Sequence, residues 1–343
     1  ELLPGHRTPR FHVLTTAPEL ALATRGLRKS YGSRRALDGL DLTVPTGVVY
    51  GFLGPNGAGK TTTMRLLTGL LRPDSGTIEL LGRPFSRSDR RRLFEIGALV
   101  ESPSFYPYLS GRENLRALAA AGAATSRRRV DEVLDIVGLR DRGGDKVSRY
   151  SLGMKQRLGI AGALLSDPQL LLLDEPANGL DPAGIVAMRE TLRHLASIGK
   201  TVFVSSHLLA EVQQLADVVG IIAGGKLVRE GSMRELLAGE GLVRVRVSPD
   251  EVASAAQVLA RLVPPNHVAV SSSEAGWLSV QIAPDRAGEV NRALAESAIF
   301  ASGLESGNDL EDLFLNLTQD ASTVDPDGTF AGISGRTTMP EAH

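Results

Sequence analysis

Residues 54–61 have the types and spacing of a site that binds phosphate. They read G-P-N-G-A-G-K-T, between an apolar stretch of strand type at 48–53 and a helical pattern of apolar residues that follows. Glycines can adopt positive φ and leave backbone N–H groups uncovered, so several N–H groups can point at one anion, which the start of the helix also attracts. The Lys60 ammonium suits the β- and γ-phosphates of a nucleotide, and the Thr61 hydroxyl suits Mg²⁺. This stretch therefore predicts nucleotide binding.

Two neighbouring carboxylates, Asp174 and Glu175, follow a near-continuous apolar run at 169–173. Such a run is typical of a buried parallel strand, and burying two carboxylates is costly without a cation. We therefore expect one carboxylate to hold the water shell of Mg²⁺ while its neighbour polarises an attacking water. His207 follows another buried strand, 201–205. A lone histidine is ordinarily structural, but this one lies at the sheet edge where open α/β folds bind ligands.

Two further positions have a structural and a functional interpretation. Tyr31 precedes the phosphate loop (residues 54–61) and could stack on an adenine base, although a turn aromatic more often packs. Ser151 stands where a helical pattern begins and is typical of an N-cap. The same hydroxyl and helix start could also be offered to a phosphate on another molecule.

Composition limits the class of protein. The 343 residues are too many for one small core and suggest two domains. The formal net charge of −1 gives no indication of nucleic-acid binding, and the lack of cysteine excludes disulfides and thiolate metal sites. No apolar run approaches the roughly 18 residues of a membrane helix. We expect any membrane contact to come only through a partner.

Changes of pattern along the chain predict four parts. These are a flexible lead-in (1–18), a first domain (19–240), a C-terminal accessory domain with a final helix (241–317) and a disordered tail (318–343). Residues 242–304 predict the element order βαββαβ, the ferredoxin-like arrangement. Residues 110–138 are expected to be helical, and the basic runs Arg87–Arg92 and Arg127–Arg129 are expected to be solvated.

Taken together, residues 20–238 resemble the ATP-binding cassette (ABC) family, the nucleotide-binding subunits of ABC transporters. The family's motifs occur in order: Tyr31 as the adenine-stacking aromatic, Walker A at Gly54–Thr62, Glu101 in the Q-loop position, the signature at Tyr150–Gln156, Walker B at Leu170–Glu175, the D-loop at Asn178–Asp181 and the switch histidine at His207. The resemblance implies an α/β fold, a P-loop NTPase ABC cassette. Its RecA-like core would carry an antiparallel β subdomain and an α-helical subdomain, followed by a small α+β ferredoxin-like domain.

The same resemblance implies head-to-tail dimers in which each ATP lies between Walker A of one copy and the signature of the other. The implied catalytic residues are Lys60, His207 and Glu175, the last as general base, and the implied Mg²⁺ ligands are Thr61, Glu101 and Asp174. The implied nucleotide contacts are Tyr31, Gly54, Pro55, Asn56, Gly57, Ala58, Gly59, Lys60, Thr61, Thr62, Glu101 and Asp181, with Ser151 and Gly153 supplied by the second copy.

The chain departs from the family pattern at two places. The signature reads Y-S-L-G-M, so Leu152 and Met154 replace its first glycine and its glutamine. Ser151 and Gly153, which contact phosphate in the family, are retained, and we expect function to persist. Glu101 replaces the Q-loop glutamine. A carboxylate can still ligate Mg²⁺, but it is expected to add negative charge near the catalytic base.

Both departures, with a final helix that reads L-E-D-L-F-L at 310–315, resemble the bacterial drug-export and self-resistance branch, the bacitracin- and daunorubicin-type exporters. That branch implies an ATPase that is peripheral on the cytoplasmic side of the cell membrane. Its partners would be a separate transmembrane permease and a second copy of itself, with no nucleic acid.

Three classes of protein are alternatives to a transporter subunit. An ABC ATPase of DNA repair or translation would have a long coiled coil between the Walker motifs or a second cassette, and the sequence has neither. A P-loop GTPase would need an Asn-Lys-x-Asp motif, which is absent. A catalytically silent cassette is disfavoured because Lys60, Asp174, Glu175 and His207 are all present.

Overall fold

The structure is a computed structural model that describes residues 19–86, 90–101, 103–122, 126–238, 241–271, 274–306, 310 and 314. The predicted lead-in at 1–18 and tail at 318–343 lie outside these residues. Within the described ranges, no helix combines the length and the apolar character that crossing a bilayer requires.

The helices and strands of the described ranges follow the predicted alternation. The strands are β1 (Leu20–Tyr31), β2 (Arg34–Pro45), β3 (Val49–Leu53), β4 (Ser75–Leu80), β5 (Arg83–Pro84), β6 (Ile96–Leu99), β7 (Leu170–Asp174), β8 (Thr201–Ser206), β9 (Val218–Ala223), β10 (Lys226–Ser232), β11 (Leu242–Arg246), β12 (Val268–Val270), β13 (Trp277–Gln281) and β14 (Gly303–Ser306). The helices are α1 (Lys60–Leu67), α2 (Gly111–Gly122), α3 (Arg127–Ile136), α4 (Leu152–Ala163), α5 (Pro182–Ser197), α6 (Leu209–Leu215), α7 (Met233–Ala238), α8 (Val252–Leu259) and α9 (Ala287–Glu296). Short 3₁₀ helices lie at Arg90–Glu95, Val147–Arg149, Pro265–His267 and Pro284–Arg286.

A six-stranded sheet carries the predicted chemistry. Its strand order is β10-β9-β3-β8-β7-β6, parallel except for the edge strand β10. Every residue of β3, β7 and β8 is buried, as their continuous apolar sequences predict. Because these three strands are parallel neighbours, their carboxyl ends meet at one edge of the sheet. The phosphate loop, the two carboxylates and His207 all follow those ends.

A four-stranded antiparallel sheet, in the order β2-β1-β4-β5, packs on the same core as β3. Inside that core the Tyr50 ring stacks on Phe203 at 5.2 Å between centroids. The Tyr50 hydroxyl donates to Glu230 Oε1 at 2.5 Å, which joins β3 to β10. The pKa of Tyr50 is raised well above its ordinary value, mainly by burial of the phenol and also by the charge of Glu230. The phenol is therefore a neutral donor within the core.

The expected helical stretch at 110–138 consists of two helices, α2 and α3, and not one. Both pack with α4 in a cluster that includes Leu115, Val133 and Leu158. Ser151 caps α4, because its side chain accepts a hydrogen bond from Met154 N at 3.2 Å. The N-cap interpretation of Ser151 is therefore confirmed.

The expectation that both basic runs are solvated is wrong at two arginines. Arg92 is only 7% exposed, and its guanidinium donates to the carbonyl oxygens of Leu80 and Pro84. Arg129 donates to Leu164 O at 2.7 Å and pairs with Asp167. A guanidinium has several donors in a fixed fork, so it can satisfy carbonyl groups where the chain changes direction, and charge runs alone do not reveal this role.

The residues from 242 to 306 form a third sheet with two helices. Its strand order is β12-β13-β11-β14, with all neighbours antiparallel. Along the chain the elements follow the expected order βαββαβ, with α8 and α9 as the helices. Val243, Val245, Leu278 and Val280 lie in its core with apolar residues of both helices.

Beyond β14 the chain packs again on the elements around the six-stranded sheet. Leu310 is fully buried in a cluster with Leu53, Val212 and Leu236, and its backbone N–H donates to Gln213 Oε1 at 3.2 Å. Of the predicted final helix, the structure describes only Leu310 and Phe314. Since Leu53 is the last residue of β3, this cluster includes the strand end from which the phosphate loop begins.

Leu310→Ala tests this contact. Removing a fully buried leucine side chain should lower the free energy of unfolding by about 2–5 kcal/mol, measured by urea or guanidinium titration. The matched control is Leu304→Ala on β14, where the side chain is 40% exposed and the loss should be about 1 kcal/mol or less. Equal losses for the two variants would contradict the docking of Leu310.

Candidate functional site

A cavity of about 660 Å³ opens at the edge of the six-stranded sheet, between the β1–β2 hairpin and the phosphate loop. The predicted site residues that line it are Tyr31, Asn56, Gly57, Gly59, Lys60, Thr61, Thr62, Glu175 and His207. Arg34, Ala36 and Asn178 also line it and were not among the predicted site residues. The structure thus brings together residues from the aromatic hairpin, Walker A, Walker B and the switch histidine.

The phosphate loop needs glycine at Gly59 for two reasons. Its φ of +117° is disfavoured for residues with a side chain. A Cβ there would also lie 2.7 Å from Leu37 Cδ2 and 2.8 Å from Ala36 O, which is too close for any real contact. Strand β2 therefore packs directly on the loop. Gly57, at φ +84°, leaves its backbone uncovered on the cavity side.

Lys60 is the first residue of α1 and is only 6% exposed. Its ammonium group bends back over the loop, donating to Gly54 O at 2.6 Å and lying 3.4 Å from Glu175 Oε1. Pro55 and Ala58, the other predicted loop contacts outside the cavity lining, hold the turn through Ala58 N and Pro55 O at 3.1 Å. The loop thus presents its lysine and its backbone to the same space.

Glu175 is held by two cations or potential cations from other elements. Its Oε2 lies 2.8 Å from His207 Nδ1, and its Oε1 faces Lys60. Its backbone has φ +48°, a left-handed conformation that is uncommon for a residue with a side chain and that occurs often at functional sites. Glu175 therefore contacts both of the other predicted catalytic residues, Lys60 and His207.

Ser205 is a site residue that the sequence reasoning missed. It is fully buried in β8, and its hydroxyl donates to Asp174 Oδ1 at 2.5 Å while accepting from Glu175 N at 3.0 Å. One side chain thus orients the Asp174 carboxylate and anchors the backbone of Glu175. A hydroxyl at the carboxyl end of a buried apolar strand was the available signal, because such a group must find partners inside the protein.

Of the predicted residues that do not line this cavity, Asp174 is buried next to Glu175 in the chain, and Glu101, Ser151, Gly153 and Asp181 belong to other elements. Glu101, at φ +70°, pairs with Arg65 and raises the pKa of that guanidinium. Its charge is therefore compensated at that ion pair. Ser151 and Asp181 cap α4 and α5, and Gly153 lies in the first turn of α4. A second copy would have to bring the signature residues to a nucleotide bound here.

The fit of a metal ion can be judged from the donor set. Across the described ranges, no group of three or more His, Cys, Asp and Glu side chains is placed to hold a metal by itself. Mg²⁺ commonly takes one or two protein ligands and completes its shell with water and substrate phosphates. Thr61 in the cavity lining and the buried carboxylate of Asp174 fit that pattern.

Comparison with known proteins decides the family. A family model described as ABC transporter matches residues 37–178. The bacitracin transport ATP-binding protein BcrA of Bacillus licheniformis is 51% identical over 210 residues, which are 61% of this chain and 69% of the relative. BcrA of Enterococcus faecalis is 37% identical over 302 residues, 87% of this chain and 96% of the relative. The chain belongs to the ABC transporter ATP-binding family. The expected ABC cassette, with its ATP binding and ATPase activity, is confirmed by this membership.

Solved structures of ABC cassettes have the same fold. A dimer of the ATP-binding cassette MJ0796, in a post-hydrolysis state with ADP and Pi, has a TM-score of 0.55 and 25% identity, covering 62% of this chain and 99% of that one. ATP-binding subunits of ABC transporters work with transmembrane subunits and dimerise. A GTPase and a solute-free ATPase are not favoured by these matches.

Ser205→Ala tests the positioning of the carboxylates in this ABC cassette. Loss of the hydroxyl leaves Asp174 without its donor and loosens Glu175, so kcat should fall about tenfold while the Kd for ATP changes little. Phosphate release and nucleotide titration measure the two effects. Thr191→Val is the control, because the Thr191 hydroxyl donates only to Ala187 O within its own helix. Equal kcat in both variants would remove Ser205 from the site.

Proposed function

We propose that this chain hydrolyses ATP to drive an exporter of drugs or other hydrophobic compounds, with a separate transmembrane permease as its partner. The main support for an ATPase site is that Glu175 contacts both Lys60 and His207, and all three residues line one cavity. The export assignment is supported by relatives that are bacitracin transport ATP-binding proteins. On this proposal the protein is peripheral on the cytoplasmic side of the membrane and contacts it only through the permease. No observation favours the alternative of DNA repair or translation.

The roles of the site residues follow from their positions. Backbone N–H groups of residues 56–62 and the Lys60 ammonium bind the phosphates, while Tyr31, 46% exposed at the cavity, stacks on the adenine. Thr61 and Asp174 would hold Mg²⁺, which would neutralise phosphate charge. Glu101, which pairs with Arg65, would be the third ligand.

Glu175 acts as the general base. Its carboxylate is partnered by Lys60 and His207, and both of these groups are also suited to the γ-phosphate. An incoming triphosphate competes for the Lys60 ammonium, which frees one carboxylate oxygen to orient water. His207 keeps contact with the other oxygen and aligns the base.

A second copy completes the site. Ser151 and Gly153 lie outside the cavity of their own chain, at the N-terminus of α4, where backbone N–H groups and the helix dipole favour an anion. We place them, with Asp181, against the nucleotide of the partner copy in a head-to-tail dimer. Hydrolysis then removes the phosphate contacts that hold the two copies together.

Glu175→Gln should separate binding from chemistry. The amide keeps the size of the side chain but cannot accept a proton, so turnover should fall by about 10²–10⁴-fold while ATP binding persists. An ATP-dependent dimer should accumulate, seen by light scattering. Glu190→Gln, on the exposed surface of α5, is the control and should hydrolyse ATP normally. Unchanged hydrolysis in Glu175→Gln would remove that residue as base.

Lys60→Ala should weaken ATP binding. The ammonium makes charge-assisted hydrogen bonds to phosphate, so its loss should raise the Kd by about 10–100-fold, with a larger effect on ATP than on ADP. Titration with a fluorescent nucleotide measures this. Lys146→Ala, at an exposed position, should leave the Kd unaltered. If Lys60→Ala bound ATP like the Lys146 variant, the phosphate-loop assignment would be contradicted.

A further inference from the structure

An arginine with no assigned role lies at the mouth of the cavity. Arg34 begins β2, pairs across the hairpin turn with Tyr31, and lines the same cavity as the phosphate loop. Its Nη2 reaches to 3.1 Å from the point where a Cβ on Gly57 would stand. The guanidinium therefore lies against the Cα of Gly57, which carries no side chain, at the edge of the phosphate loop.

The position of Arg34 is fixed by the packing of β2 on the loop. Gly59 and Gly225 both face Ala36 O so closely that a Cβ at either would lie under 3.0 Å from it. Asp38 N donates to Gly225 O at 2.9 Å, and Gly225 N donates to Ala58 O at 3.1 Å. These contacts tie the strand to the loop on two sides. Arg34 is thus held by the backbone beside the phosphate site and is not on a freely moving turn.

The other cations around this hairpin have carboxylate partners. Asp38 pairs with Arg28, Arg35 and Lys226, and Lys29 pairs with Asp74. Burial would raise the pKa of Asp38, but hydrogen bonds from Arg35 and Lys226 lower it below its ordinary value.

Arg34 differs from these cations. In the part of the chain that the structure describes, it makes no ion pair and no side-chain hydrogen bond. A guanidinium without a counter-ion beside a phosphate loop has unused donors that match phosphate oxygens.

The order of groups along the cavity indicates which phosphates Arg34 meets. Lys29 lies over the Tyr31 ring at 5.9 Å from its centroid, at the outer end of the hairpin. Lys60, next to Glu175, marks the inner end, where the γ-phosphate belongs. Arg34 pairs across the hairpin with Tyr31, and its guanidinium reaches Gly57, three residues before Lys60 in the loop.

We propose that Arg34 binds the α- and β-phosphates of the nucleotide and so sets the affinity for ATP and ADP alike. The assignment rests on the nucleotide site proposed above. It adds a second positive side chain, on the β hairpin, to the lysine of the phosphate loop. Because the α- and β-phosphates are present before and after hydrolysis, this contact holds the nucleotide through the cycle, whereas the Lys60 contact changes when the γ-phosphate leaves.

Arg34→Gln tests the assignment in the full chain, with Arg35→Gln as the matched control. The two arginines are neighbours on β2, but Arg35 already pairs with Asp38. Titration with ATP and with ADP should show both affinities about tenfold weaker in Arg34→Gln and nearly unchanged in Arg35→Gln. Raising the salt concentration should weaken binding more in the wild type than in Arg34→Gln, because one phosphate contact is already lost.

These titrations distinguish a failure of the Arg34 assignment from a failure of the proposed function. Wild-type protein that bound no ATP would overturn the proposed function. Wild-type binding with equal affinities for Arg34→Gln and Arg35→Gln would overturn the Arg34 assignment alone. A loss confined to ATP would place Arg34 at the γ-phosphate and overturn its placement on the shared phosphates. Arg34→Lys, which keeps the charge but not the planar fork, should recover only part of the affinity.

Discussion

The Glu175 carboxylate contacts the Lys60 ammonium and the His207 ring. These contacts depend on the register of β3, β8 and β7, which aligns the carboxyl ends of the three strands. The pairings Leu53 with Ser206 and Asp174 with Ser205 set that register in the sheet. A shift of one residue in either pairing would turn the following side chains to the opposite face. Strands β3, β7 and β8 are buried along their whole length, so the chemistry at the edge depends on packing in the centre.

Much of this site could be predicted because it follows from strand ends. A glycine-rich loop after an apolar strand, and carboxylates after another, are local signals, and parallel strands bring them to one edge. The sequence did not reveal the roles of Ser205 and Arg34. Their contacts are made across the sheet and from the hairpin to the phosphate loop, and a local sequence pattern does not predict such contacts. Arg92 was misjudged for the same reason, since its carbonyl partners lie on other segments. The periodicity of apolar residues at 110–138 also did not show that this stretch forms two helices.

The signature segment and the D-loop touch each other on the surface beside the cavity. Leu152, which replaces a glycine of the family pattern, is 47% exposed and faces Gly179, where an added Cβ would lie 3.2 Å from Leu152 Cδ2. Ser151 and Asp181 keep their capping hydrogen bonds at the adjoining helix starts. The substitution therefore adds an apolar contact between the two segments and leaves the geometry of the caps in place.

The burial of Leu310 in one cluster with Leu53 has a consequence for folding during synthesis on the ribosome. A nascent chain emerges from its N-terminus, so the strand that leads into the phosphate loop is made long before the residue that covers its flank. Until residues 241–306 have also emerged, Leu53, Val212 and Leu236 lack the side chain of Leu310 as a packing partner. Newly made copies therefore complete this cluster late in synthesis, and its apolar residues are less well covered until then.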